Sequence, residues 1–89
     1  MIAPMPNRTD GRVVLYERPG CHLCEDAAVL LDDMLGPAGY ARTNIETDDD
    51  LLVRYGHRIP VVALDGTDRL ELTITAPDVR ALAHEAGLG

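Results

Sequence analysis

The chain contains no phenylalanine, no tryptophan and no lysine. Without the two largest apolar aromatics, its core must be assembled from Leu, Val, Ile, Ala and three Tyr. Each of those side chains then carries a larger share of a small stability margin. Without lysine, all permanent positive charge rests on Arg8, Arg12, Arg18, Arg42, Arg54, Arg58, Arg69 and Arg80. Against fifteen acidic residues these leave a net charge of -7. Such a surface repels a phosphate backbone instead of releasing its counterions, which argues against a nucleic-acid partner. The arginines are also scattered, so no basic amphipathic stretch reads as a membrane-surface helix.

Long apolar runs are missing as well. Nothing approaches the roughly 20 apolar residues needed to cross a bilayer. The opening Met1-Ile2-Ala3-Pro4-Met5-Pro6 lacks a basic segment followed by an apolar block. The expectation is a cytoplasmic protein away from membranes, and a monomer. Cysteine is scarce too, at two residues, Cys21 and Cys24. With only two positions between them they cannot staple distant parts of a fold, and a structural disulfide is unusual in a reducing compartment. Chemistry explains the pair better than stability does.

What remains is enough for one small domain. Eighty-nine residues support a single modest core, and 46% hydrophobic with 26% charged residues is an ordinary globular composition. Residues 1–11 carry two Pro and an Asn7-Arg8-Thr9-Asp10-Gly11 stretch without periodicity, and read as a flexible leader. The domain is expected over 12–87, with no internal repeat or linker.

Val13-Val14-Leu15-Tyr16 reads as a buried strand, bounded by Pro19-Gly20. Ala27, Ala28, Leu31, Met34 and Leu35 then recur at helical spacing until Gly36-Pro37, giving an amphipathic helix that opens at the cysteines. A second strand is expected over Tyr40 to Ile45. Thr47-Asp48-Asp49-Asp50 then caps a short helix carrying Leu51, Leu52 and Tyr55. Pro60-Val61-Val62-Ala63-Leu64, a turn at Asp65-Gly66-Thr67-Asp68, and Arg69-Leu70-Glu71-Leu72-Thr73 read as a hairpin. Thr75-Ala76-Pro77-Asp78 is an N-terminal capping signal for a last helix with Val79, Leu82, Ala83 and Ala86. The order βαβαββα implies an α/β fold: a right-handed βαβ crossover plus a hairpin, forming a mixed four-stranded sheet flanked by helices.

Cys21-His22-Leu23-Cys24 lies where the first strand hands over to the first helix. There a sulfur meets unpaired backbone N–H groups and the positive end of a helix dipole, both of which favour the thiolate. A thiolate attacks a disulfide, and a second thiol two residues on can resolve the mixed disulfide. Cys21 is therefore the candidate nucleophile and Cys24 the resolver. Two cysteines at this spacing also make half of a zinc site. The remaining ligand candidates, His22, His57 and His84, form no second pair at ligand spacing. Two buried apolar cysteines are a further alternative, opposed by Pro19-Gly20 before the pair and Glu25-Asp26 after it.

Through Leu15-Tyr16-Glu17-Arg18-Pro19-Gly20-Cys21-His22-Leu23-Cys24 and Arg58-Ile59-Pro60-Val61 the chain resembles the glutaredoxin-like branch of the thioredoxin-fold superfamily, in particular short bacterial glutaredoxin-like proteins. The resemblance implies a glutaredoxin-type thioredoxin-like fold and thiol-disulfide exchange on a protein disulfide or small thiol, with an external reductant. It implies no bound cofactor or metal, with glutathione a candidate co-substrate. It also implies a cis peptide bond before Pro60 facing the cysteines, backbone groups of Ile59 offered to the substrate, and Arg18 as a cation near Cys21 or a substrate carboxylate. The chain departs from the glutaredoxin pattern at Leu72-Thr73-Ile74-Thr75-Ala76-Pro77-Asp78, where a Gly-Gly kink and an acidic pair receive glutathione. His22-Leu23 replaces the usual Pro-Tyr. A binding module of the same fold, with the cysteines as a redox switch for association, is the alternative to an enzyme.

Overall fold

Alternation along the first strand divides the molecule into two packed faces. The computed structural model describes residues 12–87; the leader expected over 1–11 lies outside the described residues. Strand β1 (Val13–Glu17) sends Val13 and Leu15, both fully buried, to one face and Tyr16 to the other. On the first face they meet Ala27 and Leu31 of α1 (His22–Leu35) and Val79 and Leu82 of α3 (Ala76–Glu85). On the second, Tyr16 packs with Ile45, Val61, and with Leu51, Leu52 and Tyr55 of α2 (Asp49–Tyr55).

The sheet order is β2-β1-β3-β4. Strand β2 (Ala41–Asn44) runs parallel to β1, with Glu17 opposite Asn44, as a crossover through α1 requires. Strand β3 (Val61–Leu64) pairs antiparallel with β1, placing Val61 opposite Tyr16. All four β3 residues are buried because helices cover both of its faces. The expected mixed four-stranded sheet is the one that forms, and its register has a functional consequence. The end of β1, the end of β2 and the start of β3 lie at the same end of the sheet, so the loop bearing Cys21 and the Ile59-Pro60 segment emerge there together.

Three local expectations change. The hairpin turn is two residues long: Asp65 and Gly66 both have positive φ, of 51° and 83°, the conformation that matches the twist of paired strands. Strand β4 (Thr67–Glu71) therefore starts two residues earlier than expected, and a bulge between Val62 and Ala63 absorbs the register change. It also ends earlier, because Leu72 turns out of the ladder at φ 65° and donates its N–H to the Pro60 carbonyl at 2.9 Å. Between β2 and α2 a 3₁₀ turn (Ile45–Thr47) shortens the second strand, with Asn44 Oδ1 accepting the Glu46 N–H at 2.9 Å. A single such turn has no periodicity to detect.

The helix caps follow the sequence signals. Asp48 Oδ1 accepts the Asp50 N–H at 2.8 Å to start α2. Thr75 and Asp78 form a reciprocal capping box on α3. Gly36, at φ 81°, ends α1 with its N–H on the Asp32 carbonyl.

Candidate functional site

Gly20 has φ 77°, with open space where a Cβ would stand; a residue with a side chain is strained in that conformation. The turn it makes brings Cys21 to the N-cap position of α1. There the Cys21 Sγ accepts the Cys24 backbone N–H at 3.2 Å, and the Cys21 carbonyl accepts the Glu25 N–H at 3.1 Å. A sulfur that caps a helix is held against the positive end of its dipole.

The two cysteines form a disulfide across Cα atoms 5.1 Å apart. Their environments differ: Cys21 is partly exposed, whereas Cys24 is 0% exposed. An external reactant reaches Cys21, and Cys24 is confined to reaction with its neighbour. The packing of α1 enforces this difference, because Cys24, Ala27, Ala28 and Leu31 share its inward stripe.

Arg18 lies on the strand-to-helix loop, as the sequence places it, but its charge is engaged. Its Nη2 and Nε donate to Glu46 Oε2 at 2.8 and 3.2 Å, with both side chains about 41% exposed. Beside it, Arg42 donates to both carboxylate oxygens of Glu17 at 2.6 and 2.8 Å. These residues, with Pro19, Gly20, Glu25 and Asn44, line a surface cleft of about 270 Å³ next to the cysteine loop.

On the other side of the loop stand Ile59 and Pro60, joined by a cis peptide bond. Pro60 is buried and Ile59 is partly buried. The Ile59 N–H donates within the chain, to the Tyr55 carbonyl at 3.1 Å, so of its two backbone groups only the carbonyl is without a backbone partner among the described residues. A network fixes this segment from behind. Tyr55 stacks on Tyr16 with ring centroids 4.3 Å apart and donates its hydroxyl to Asp68 Oδ1 at 2.9 Å. Arg58 lies over the Tyr55 ring, 5.3 Å from its centroid, and bonds to Asp68 and Glu71. Burial first, and the bond to Asp68 second, raise the Tyr55 phenol above its ordinary value. The Arg58 guanidinium is likewise held more firmly protonated, by Glu71 and then Asp68.

Sequence reasoning assigned no site role to Glu46, Tyr16, Tyr55, Asp68 or Glu71. Glu46 is 28 positions from Arg18, and nothing local links them. The single available signal for Tyr55 is its place one helical turn before Ile59. His22, His57 and His84 are all exposed. Among the described residues, no group of three or more His, Cys, Asp or Glu is arranged to hold a metal ion.

Residues 12–85 match the family model described as Glutaredoxin-like domain (DUF836). Among solved structures, a Northeast Structural Genomics target protein, XcR50 from X. campestris, is 30% identical with a TM-score of 0.71, over 82% of this chain and 96% of that one. Oxidized glutaredoxin 2 from Chlamydomonas reinhardtii is 22% identical with a TM-score of 0.54, over 86% and 75%. A mutant thioredoxin from Halobacterium salinarum NRC-1 is 16% identical with a TM-score of 0.59, over 89% and 74%. The last two show likeness of fold. No curated protein matches the sequence. The match over nearly the whole described domain, with a disulfide-forming CxxC pair at the start of α1, makes this chain a member of the glutaredoxin-like family within the thioredoxin superfamily.

Proposed function

We propose that the protein is a thiol-disulfide oxidoreductase in which Cys21 is the nucleophile and Cys24 the resolving thiol. The observation that carries this reading is the asymmetry of the pair: a partly exposed sulfur capping α1, bonded to a fully buried one. In the reduced state the Cys21 thiolate attacks one sulfur of a substrate disulfide. A Cys21–substrate disulfide forms, and the other substrate sulfur leaves as a thiolate that takes up a proton. Cys24 then loses its proton and attacks the Cys21 sulfur, forming the internal disulfide and releasing the second substrate thiol. The substrate gains two electrons from the cysteine pair and two protons, one that Cys24 releases and one from solvent. The cycle closes when an external dithiol, or two molecules of a monothiol such as glutathione, reduces the Cys21–Cys24 bond.

Within this reading the substrate is the disulfide of a protein or of a small thiol compound in the cytoplasm. Ile59 presents its carbonyl beside the reacting sulfurs, and Pro60 bounds the groove. Arg18 contributes through whatever charge Glu46 leaves uncompensated.

Mass spectrometry after trapping tests the assignment. Reduced protein is mixed with a model peptide disulfide, quenched by alkylation, and weighed intact. Cys24→Ser is expected to accumulate a mixed disulfide on Cys21, and Cys21→Ser to form none. Full exchange activity in Cys21→Ser would refute the assigned roles.

A further inference from the structure

The charges around the candidate nucleophile are not balanced. Arg18 and Arg42, the two cations of the adjoining cleft, are each closed against a carboxylate, Glu46 and Glu17 respectively. Glu25 and Asp26 enter none of the ion pairs of the described residues, and both are exposed. Their helical positions aim them at the reacting end. Glu25 lies one turn beyond Cys21 and Asp26 one turn beyond His22, so each shares a face with a residue of the CxxC segment. Leu23, between the two cysteines, is 44% exposed. A substrate approaching Cys21 thus meets uncompensated negative charge next to an apolar side chain.

The backbone points the same way. A short peptide gripped by paired N–H and C=O bonds needs both groups of the residue before the proline. Here the Ile59 N–H is already donated to the Tyr55 carbonyl, which leaves one of the two groups, the Ile59 carbonyl, without a backbone partner among the described residues. Less of the binding can come from main-chain pairing with a small tripeptide, and more must come from side chains around the rim.

We propose, resting on the oxidoreductase reading, that the disulfide reduced by this protein is carried on a cationic polypeptide segment, selected by Glu25 and Asp26. Complementary charge acts mainly on the rate of encounter, and mismatched charge suppresses wrong partners. A net-anionic small thiol such as glutathione meets the same two carboxylates with the wrong sign. Leu23 supplies an apolar contact that a polypeptide can cover.

The test uses the full chain, reduced, and three synthetic peptides sharing one intramolecular disulfide and one apolar sequence. Their flanking positions carry Arg, Glu or neutral residues, and the second-order rate constant of disulfide reduction is measured for each. The expected result is that the Arg peptide reacts about tenfold faster than the Glu peptide at low ionic strength. The difference should nearly vanish at about 1 M salt, where the screening length is about 3 Å. In the double variant Glu25→Gln with Asp26→Asn the preference should also fall to about twofold or less. Asp33→Asn, which removes an exposed charge farther along α1, should preserve it. Equal rates for the three peptides with the wild type would overturn the charge selection and leave the oxidoreductase reading standing, as would a preference that survives the double variant. Reduction of none of them would overturn both.

Discussion

Tyr55 joins the core to the segment beside the cysteines, and two substitutions there separate its contributions. It is 3% exposed, stacks on Tyr16, accepts the Ile59 N–H through its carbonyl, and donates its hydroxyl to Asp68. Tyr55→Phe keeps the ring and the stack and removes one hydrogen bond to a carboxylate. Asp68 retains Arg58 at 3.1 Å and is not orphaned, so the loss is about 1.5 kcal/mol, the low end for a bond to a charged group. Tyr55→Ala removes the ring as well and opens a cavity beside Ile45 and Val61. That costs about 4 kcal/mol, with about 1 kcal/mol more for the lost stack. For a domain of this size, whose total stability is on the order of 5–10 kcal/mol, the second loss approaches half or more. Urea unfolding followed by far-ultraviolet circular dichroism measures both, and the lower midpoint of Tyr55→Phe should come with an unchanged slope. If Tyr55→Phe were as stable as the wild type, or as damaged as Tyr55→Ala, the division between hydroxyl and ring argued here would be wrong.

Other expected outcomes are simpler. Thr75→Ala breaks the capping box of α3 and should cost about 1 kcal/mol, seen as a fall of about 4–8 °C in Tm. Gly66→Ala places a Cβ in open space at φ 83°, so its cost is purely conformational, about 1–2 kcal/mol, read from the same unfolding curves. The phenols of Tyr40 and Tyr55 are both raised, in each case chiefly by burial and next by a hydrogen bond to a carboxylate, of Asp32 and Asp68 respectively. A raised folded-state value means that the native state holds protons the unfolded state has released. The stabilisation is complete below the ordinary tyrosine range, near pH 10, and lost as pH rises through the raised values. Stability measured from pH 8 to 11 should therefore decline above about pH 10, and Tyr40→Phe should flatten the decline; an unchanged slope in that variant would contradict the assignment.

The sequence by itself determined the order of elements and the location of the redox pair. Helical spacing from Ala27 to Leu35, the Thr75–Asp78 cap and the buried runs at Val13 and Val61 are local signals, written by periodicity and by unsatisfied backbone groups at helix ends. Cys21 and Cys24 are equally local, since strand, turn and helix follow within a few residues. The two-residue turn was less legible: Asp65 adopts a positive φ of 51°, which its sequence permits without demanding.

Tertiary structure alone decided what surrounds the sulfurs. The closing of Arg18 by Glu46 and the burial of Cys24 beside a partly exposed Cys21 depend on which elements become neighbours. A side chain's charge and exposure are set by partners brought from elsewhere in the chain, and one-dimensional patterns carry little information about such partners.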